Sequence, residues 1–180
     1  MSWIELYRQI AELIPADHLA LVRQRPIIHI NVDQQSLCLV QIDPDQSKTY
    51  PVSTAAKGIG NQSDSLKTPS GVHQIRQKIG AGQPWGMIYK NRMATGRICD
   101  PCDIHEEDEI SSRILWLDGM EPGINQGGAC DTYHRHIYIH GTSDEKRIGY
   151  PVSIGCIRMK NDDVIQLFNQ VQVNELVIIR

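Results

Sequence analysis

Apolar and polar residues change rhythm several times along this chain, and each rhythm names an element. Trp3, Ile4, Tyr7, Ile10, Ala11 and Ile14 recur at helical spacing, with Ser2 and Glu5 as a capping box and Pro15 as the stop. The spacing predicts an amphipathic helix packed on the domain, within an N-terminal extension over residues 1–26. IIHINVD and SLCLVQI then alternate around a polar turn at residues 33–35, the pattern of a hairpin, and KTYPVST continues the sheet. Residues 57–75, rich in Gly, Ser, Asp and Pro, read as loop, closing on a TPSG turn before a short strand.

Residues 80–132 are dominated by turn-forming pieces, GAGQPWG, TGRICDPCD and GMEPGINQGGAC, around one apolar segment, ISSRILWLDG. RILWL reads as a strand and the rest as a lid or loop-rich excursion that flanks or covers a cleft, with Trp85, Tyr89 and Arg92 as substrate-contact candidates. HRHIYIHGT alternates again, predicting a strand with His134, His136, Tyr138 and His140 on one face and Ile137 and Ile139 on the other. After a turn and SIGCIRM, Asn161 is the expected cap of a helix with an apolar stripe of Val164, Ile165, Phe168 and Val171. ELVIIR closes the chain as a strand. There is no internal repeat, and the strand count predicts a mainly β fold with short helices.

A chain of 180 residues makes one domain and buries roughly 70% of its unfolded surface, so it folds without disulfides. The formal net charge is -3 and the basic residues are scattered, which argues against nucleic acid as a partner. No apolar run reaches the roughly 20 residues of a membrane span, and MSWIELYRQIAELIP has none of the regions of an export signal. The five cysteines are an odd count, so at least one is free or chemically used. CDPCDIH sets Cys99, Cys102 and His105 close together without a second CxxC, leaving a local disulfide, a metal and plain thiols all open.

In SIGCIRMK, Cys156 sits between Gly155 and Ile157 with Arg158 beyond, mixed company for a buried thiol. A cysteine nucleophile needs a base or a cation to raise its thiolate fraction, and His140, ending a strand upstream, is the candidate base. Gly155 lets the chain turn so that its amide and that of Cys156 can converge on an oxyanion. Arg158 can hold a substrate carboxylate and favour the thiolate. Besides a catalytically silent binding module that uses the cleft only for recognition, two rivals stand beside this reading. One is a metal site built on His134, His136 and His140, joined by Cys130. The other is a serine penicillin-recognising protein, which STAAK fails to match because Ser53 and Lys57 stand four apart.

IYIHGT followed by IGYPVSIGCIRM resembles the signature of the L,D-transpeptidase catalytic domain, the YkuD-type family of peptidoglycan enzymes, and YPVSTAAKGIG and KTPSGVHQI resemble its upstream strands and turn. The resemblance covers residues 27–180. It implies a β-sandwich-like catalytic fold without a cofactor, with Cys156 as nucleophile, His140 as general base and the Gly141 carbonyl orienting the imidazole. Ser153, Gly155, Arg158 and Tyr138 form the implied oxyanion and substrate-binding set. The implied partners are peptidoglycan stem peptides and carbapenem-type inhibitors. Attack on the carbonyl of the third stem residue releases D-alanine, and the acyl group passes to an amine or, in an L,D-carboxypeptidase, to water. The implied location is the cell envelope, although the absence of a visible export signal also fits the cytoplasm. Many members carry a second histidine where this chain has Ile154.

Overall fold

The computed structural model describes residues 25–41, 43–100 and 108–180. The helix expected near the N-terminus lies outside the described residues, as do Cys102 and His105. In chain order the strands are β1 (Ile27–Asn31), β2 (Ser36–Val40), β3 (Lys48–Pro51), β4 (Gly71–Ile79), β5 (Met87–Lys90), β6 (Met93–Ile98), β7 (Ile110–Gly119), β8 (Tyr138–Thr142), β9 (Ile157–Met159) and β10 (Leu176–Ile179). Helix α1 (Asn161–Gln170) separates the last two. The strands form one sheet in the order β3-β2-β1-β10-β4-β7-β5-β6, with β8 joined to β7 and β9 to β8. Most pairs are antiparallel; β1 with β10 and β8 with β9 are parallel. The sheet branches at β7, which carries β4 along Ile114–Gly119 and β8 from Ile110 to Trp116, and it curls there into the mainly β fold the sequence implies.

Side chains of period two explain where the core sits. Ile28, Ile30, Leu37, Leu39, Val177 and Ile179 point into the main core, while Ile27, Val40, Leu176 and Ile178 build a second cluster on the opposite face. Burial on both faces is why these strands read as nearly unbroken apolar runs. Helix α1 closes the main core with Val164, Leu167 and Phe168, each burial contributing roughly 1.5–3 kcal/mol. Leu167 takes the place in the stripe that was expected of Ile165, which is only half-buried. Asn161 is not the cap either: it is the first helical residue, and Asp162 and Asp163 supply the negative charge that suits a helix start.

Two further expectations change. Residues 80–132 hold β5, β6 and β7, and β7 is buried along nearly its whole length, so much of the stretch is sheet where loop was expected. A bulge after Ser111, with Ser112 at φ 58°, interrupts the β7 ladder and helps disguise the strand. The strand expected from residue 134 starts only at Tyr138, because His136 adopts φ 56° in a turn. The histidines therefore do not share one strand face. Among the described residues, no three His, Cys, Asp or Glu side chains are grouped to hold a metal, and the His134, His136, His140 reading is not supported.

Two other histidines are buried in the sheet. His73 is fully buried, with Nδ1 3.1 Å from the Gly71 carbonyl and Nε2 3.2 Å from Thr132 Oγ1. Burial lowers the pKa of both His29 and His73 from 6.5 to about 4. The unfolded chain binds these protons as pH drops below 6.5, whereas the folded chain resists until about 4. Their stabilisation is complete above 6.5 and is lost toward 4, on the order of 3 kcal/mol for each. Urea titrations across that window are expected to show the decline; a flat stability would contradict the neutral burial of these rings.

Candidate active site

The parallel pairing of β8 and β9 places the motif residues. Ile139 is level with Ile157 and His140 with Arg158, and Ile139, Ile157 and Met159 all turn into the main core. Strand alternation then puts Tyr138, His140 and Arg158 on the opposite face, and Cys156 packs there against the cluster containing Trp116 and Tyr138. Cys156 and His140 are thus diagonal neighbours on one face of a two-strand ribbon. His140 Nδ1 lies 2.7 Å from the Gly141 carbonyl, so Nδ1 carries the proton and Nε2 is the basic nitrogen. Gly141 is required by close packing: a Cβ there would lie 2.5 Å from the Ser111 carbonyl and 2.7 Å from Asn161 Oδ1.

Burial disfavours the charged form of both groups. Burial pushes the Cys156 thiol up to about 11, against the pull of the Tyr138 amide and the Arg158 charge. Burial also holds the His140 imidazole below its ordinary range, partly offset by Asp108 and by the Gly141 carbonyl. The thiol is half-buried and its Sγ lies 3.4 Å from the His136 carbonyl. A thiol and an imidazole whose neutral forms are favoured can act as a pair in which the base removes the proton as attack begins.

The turn before the cysteine is held from within. Gly155, at φ 139°, donates its amide to Ser153 Oγ at 3.2 Å, and that hydroxyl donates to the Cys156 carbonyl at 2.6 Å. Thr68 Oγ1 donates to the Gly155 carbonyl at 3.0 Å. Ser153, expected in the substrate-binding set, is 2% exposed and shapes the turn from inside. Arg158 is also committed: its Nε is 2.8 Å from Asp108 Oδ2, with each side chain only 10% exposed. Of the lid candidates, Tyr89 is buried with its hydroxyl on the Ser112 carbonyl, and Trp85 donates to Asp162. Arg92 alone of the three reaches the site wall, through Tyr138 Oη at 3.1 Å.

Several supporting residues were not anticipated. Asp108 bonds Thr142 Oγ1 as well as Arg158. Asn161 Nδ2 donates to the Thr142 carbonyl at 3.0 Å while its Oδ1 accepts from Ser111 and Ser112, locking α1 to the end of β8. Arg135 donates to the carbonyls of Gly60, Asn61 and Lys67, which ties the loop after β3 to the site. A cavity of about 290 Å3 opens there, lined by Leu66, His134, Arg135, His136 and Ile154, among others. Ile154 is 70% exposed at its edge.

The family model described as YkuD, L,D-transpeptidase catalytic domain, matches residues 25–179. A candidate L,D-transpeptidase of Bacillus subtilis (strain 168), YqjB, is 51% identical over 41 residues, which is 23% of this chain and 23% of that protein. Among solved structures, L,D-transpeptidase 3 from Mycobacterium tuberculosis, in complex with a faropenem-derived adduct, is 16% identical with a TM-score of 0.52, over 86% of this chain and 60% of its own. Bd1075 of Bdellovibrio bacteriovorus is 15% identical with a TM-score of 0.53, over 89% of this chain and 49% of its own. These structural likenesses concern the fold, and the matched region is less than two thirds of each of those proteins. With the family model covering nearly all the described residues, the chain belongs to the L,D-transpeptidase catalytic domain family.

Proposed function

We propose that this protein carries out cysteine-dependent acyl transfer on peptidoglycan stem peptides. The observation that carries the reading is the placement of Cys156 and His140 on one face of the β8/β9 ribbon, with His140 Nδ1 engaged by Gly141. His140 Nε2 takes the thiol proton as Sγ attacks the carbonyl of the third stem residue, forming the S–C bond. The tetrahedral intermediate collapses with cleavage of the C–N bond, and the imidazolium gives its proton to the departing D-alanine amine. An acceptor amine, or water, then loses a proton to His140 and displaces the thiolate from the thioester, and the imidazolium returns that proton to the released sulfur. Because the Gly155 amide is engaged by Ser153, the Cys156 amide is the oxyanion donor of the motif. The proposed substrate implies work at the cell envelope.

The test is product analysis with a purified stem tetrapeptide, with and without an amine acceptor, alongside mass spectrometry after exposure to faropenem or a carbapenem. D-alanine release and a β-lactam adduct on the peptide containing Cys156 are expected. Transpeptide formation distinguishes transfer from simple trimming. An adduct on Ser53 or Ser65, or none at all, would count against the cysteine.

A further inference from the structure

Arg158, the cation expected to hold a substrate carboxylate, is paired with Asp108, but another guanidinium stands at the wall of the site. Arg92 pairs with no carboxylate among the described residues. Its Nη1 donates to Tyr138 Oη at 3.1 Å, and its guanidinium carbon lies 4.6 Å from the Trp116 ring centroid. Trp116 is itself fixed, stacked on Tyr133 at 4.1 Å and edge-on to Tyr138 at 5.4 Å, with Nε1 donating to the Tyr133 carbonyl. Cys156 packs against this same cluster. Burial and the Arg92 charge hold His136 below the ordinary imidazole range, so that ring adds no second cation near neutral pH.

The position of Arg92 in the chain is also unusual. Lys90 pairs with Met93 across a two-residue loop in which Asn91 and Arg92 have φ 51° and 65°. A loop of this kind favours glycine at its second position. Here an arginine occupies it, and its side chain is stacked on Trp116 and hydrogen-bonded to Tyr138, in the cluster that Cys156 packs against.

We propose that Arg92, stacked on Trp116 and aimed by Tyr138, binds the free α-carboxylate of the leaving D-residue of the acyl donor. The inference rests on the acyl-transfer reading above and adds to it a requirement for a free C-terminus. The register of Ile139 with Ile157 places Tyr138 beside Cys156 on neighbouring strands, which lie about 4.8 Å apart. In the donor, the terminal carboxylate is three bonds beyond the attacked carbonyl carbon, about 4 Å away. With a carbonyl held at Sγ, the proposed seat of that carboxylate is the Tyr138 and Arg92 wall, where a guanidinium can take both oxygens.

The test is calorimetric binding to the Cys156→Ala protein of a stem tetrapeptide whose internal carboxyl groups are amidated, as the free acid and as the C-terminal amide. The acid is expected to bind at least about tenfold more tightly, the range of one charge-assisted contact. Arg92→Gly in the same background, which suits the turn and so preserves folding, is expected to bring the two within about twofold. Tyr138→Phe, which keeps the charge but removes its aim, should narrow the preference, and Arg92→Lys should retain part of it. A preference unchanged in Arg92→Gly, or absent from the parent, overturns the subsite. So does a preference that follows a restored internal carboxylate. Turnover is scored separately on protein with Cys156 intact. Equal turnover of acid and amide refutes the subsite and leaves the transfer reading standing, whereas acid-selective binding without turnover does the reverse.

Discussion

Replacing Cys156 by alanine is expected to reduce stem-peptide turnover by at least ~10^4-fold, the scale of removing a covalent nucleophile, with little loss of stability. The side chain is small and half-buried, and its hydrogen bond to the His136 carbonyl is long, so alanine leaves the β9 strand and its packing intact. His140→Gln should approach the same loss, because a thiol pushed up to about 11 is almost fully protonated at neutral pH and needs a base to react. The pair acts as a unit, so the double variant should be hardly worse than either single one. The pH profile carries a further sign. With the imidazole held below its ordinary range, the acidic limb of kcat/KM should lie below pH 6.5, its apparent value belonging to the pair. Steady-state kinetics and denaturation of the same preparations check both halves. Activity surviving Cys156→Ala but abolished by a chelator would reject the thiol mechanism.

Cys156 and His140 were legible as candidate nucleophile and base because two short motifs carry them, and because period-two alternation predicts which side of a strand each residue takes. Alternation also misled where the chain leaves the strand: His134 and His136 continue the pattern of HRHIYIHGT, yet His136 lies in a turn at φ 56°. Pairwise partners at long range were the least visible. Arg158 reads as an available cation until Asp108, fifty positions earlier in a run of four carboxylates, HEEDE, is folded onto it. Nothing local distinguishes that aspartate from its neighbours. Asn161 shows the same limit. A residue of that type before an apolar stripe signals a cap, whereas its amide is used across the fold to hold Thr142, Ser111 and Ser112. Arg92 was visible as a candidate only through its place in a turn-rich segment, and its meaning depends on Trp116 and Tyr138, which come from two other strands.

Asp108→Ala is expected to be the most destabilising change at the site, costing about 3–5 kcal/mol, since it leaves the Arg158 charge buried without its partner. The pair is only 10% exposed on each side, so water cannot replace the carboxylate at low cost. The same substitution removes the bond to Thr142 Oγ1 that anchors the segment before β7 to the end of β8. Asp108→Asn separates charge from shape, because the amide can still accept from Thr142. Its electrostatic effect has a definite direction. Asp108 raises the pKa of His140 and of Cys156, and Arg158 lowers both. Neutralising the aspartate therefore lowers both, making the imidazole a weaker base and the thiol a stronger acid. The acidic limb of kcat/KM should move to still lower pH in Asp108→Asn, while the plateau falls. Urea denaturation of the alanine variant and pH–rate profiles of the asparagine variant measure the two effects. A stability loss below about 1 kcal/mol together with an unmoved acidic limb would mean that the Asp108–Arg158 pair neither holds nor tunes the β8/β9 ribbon.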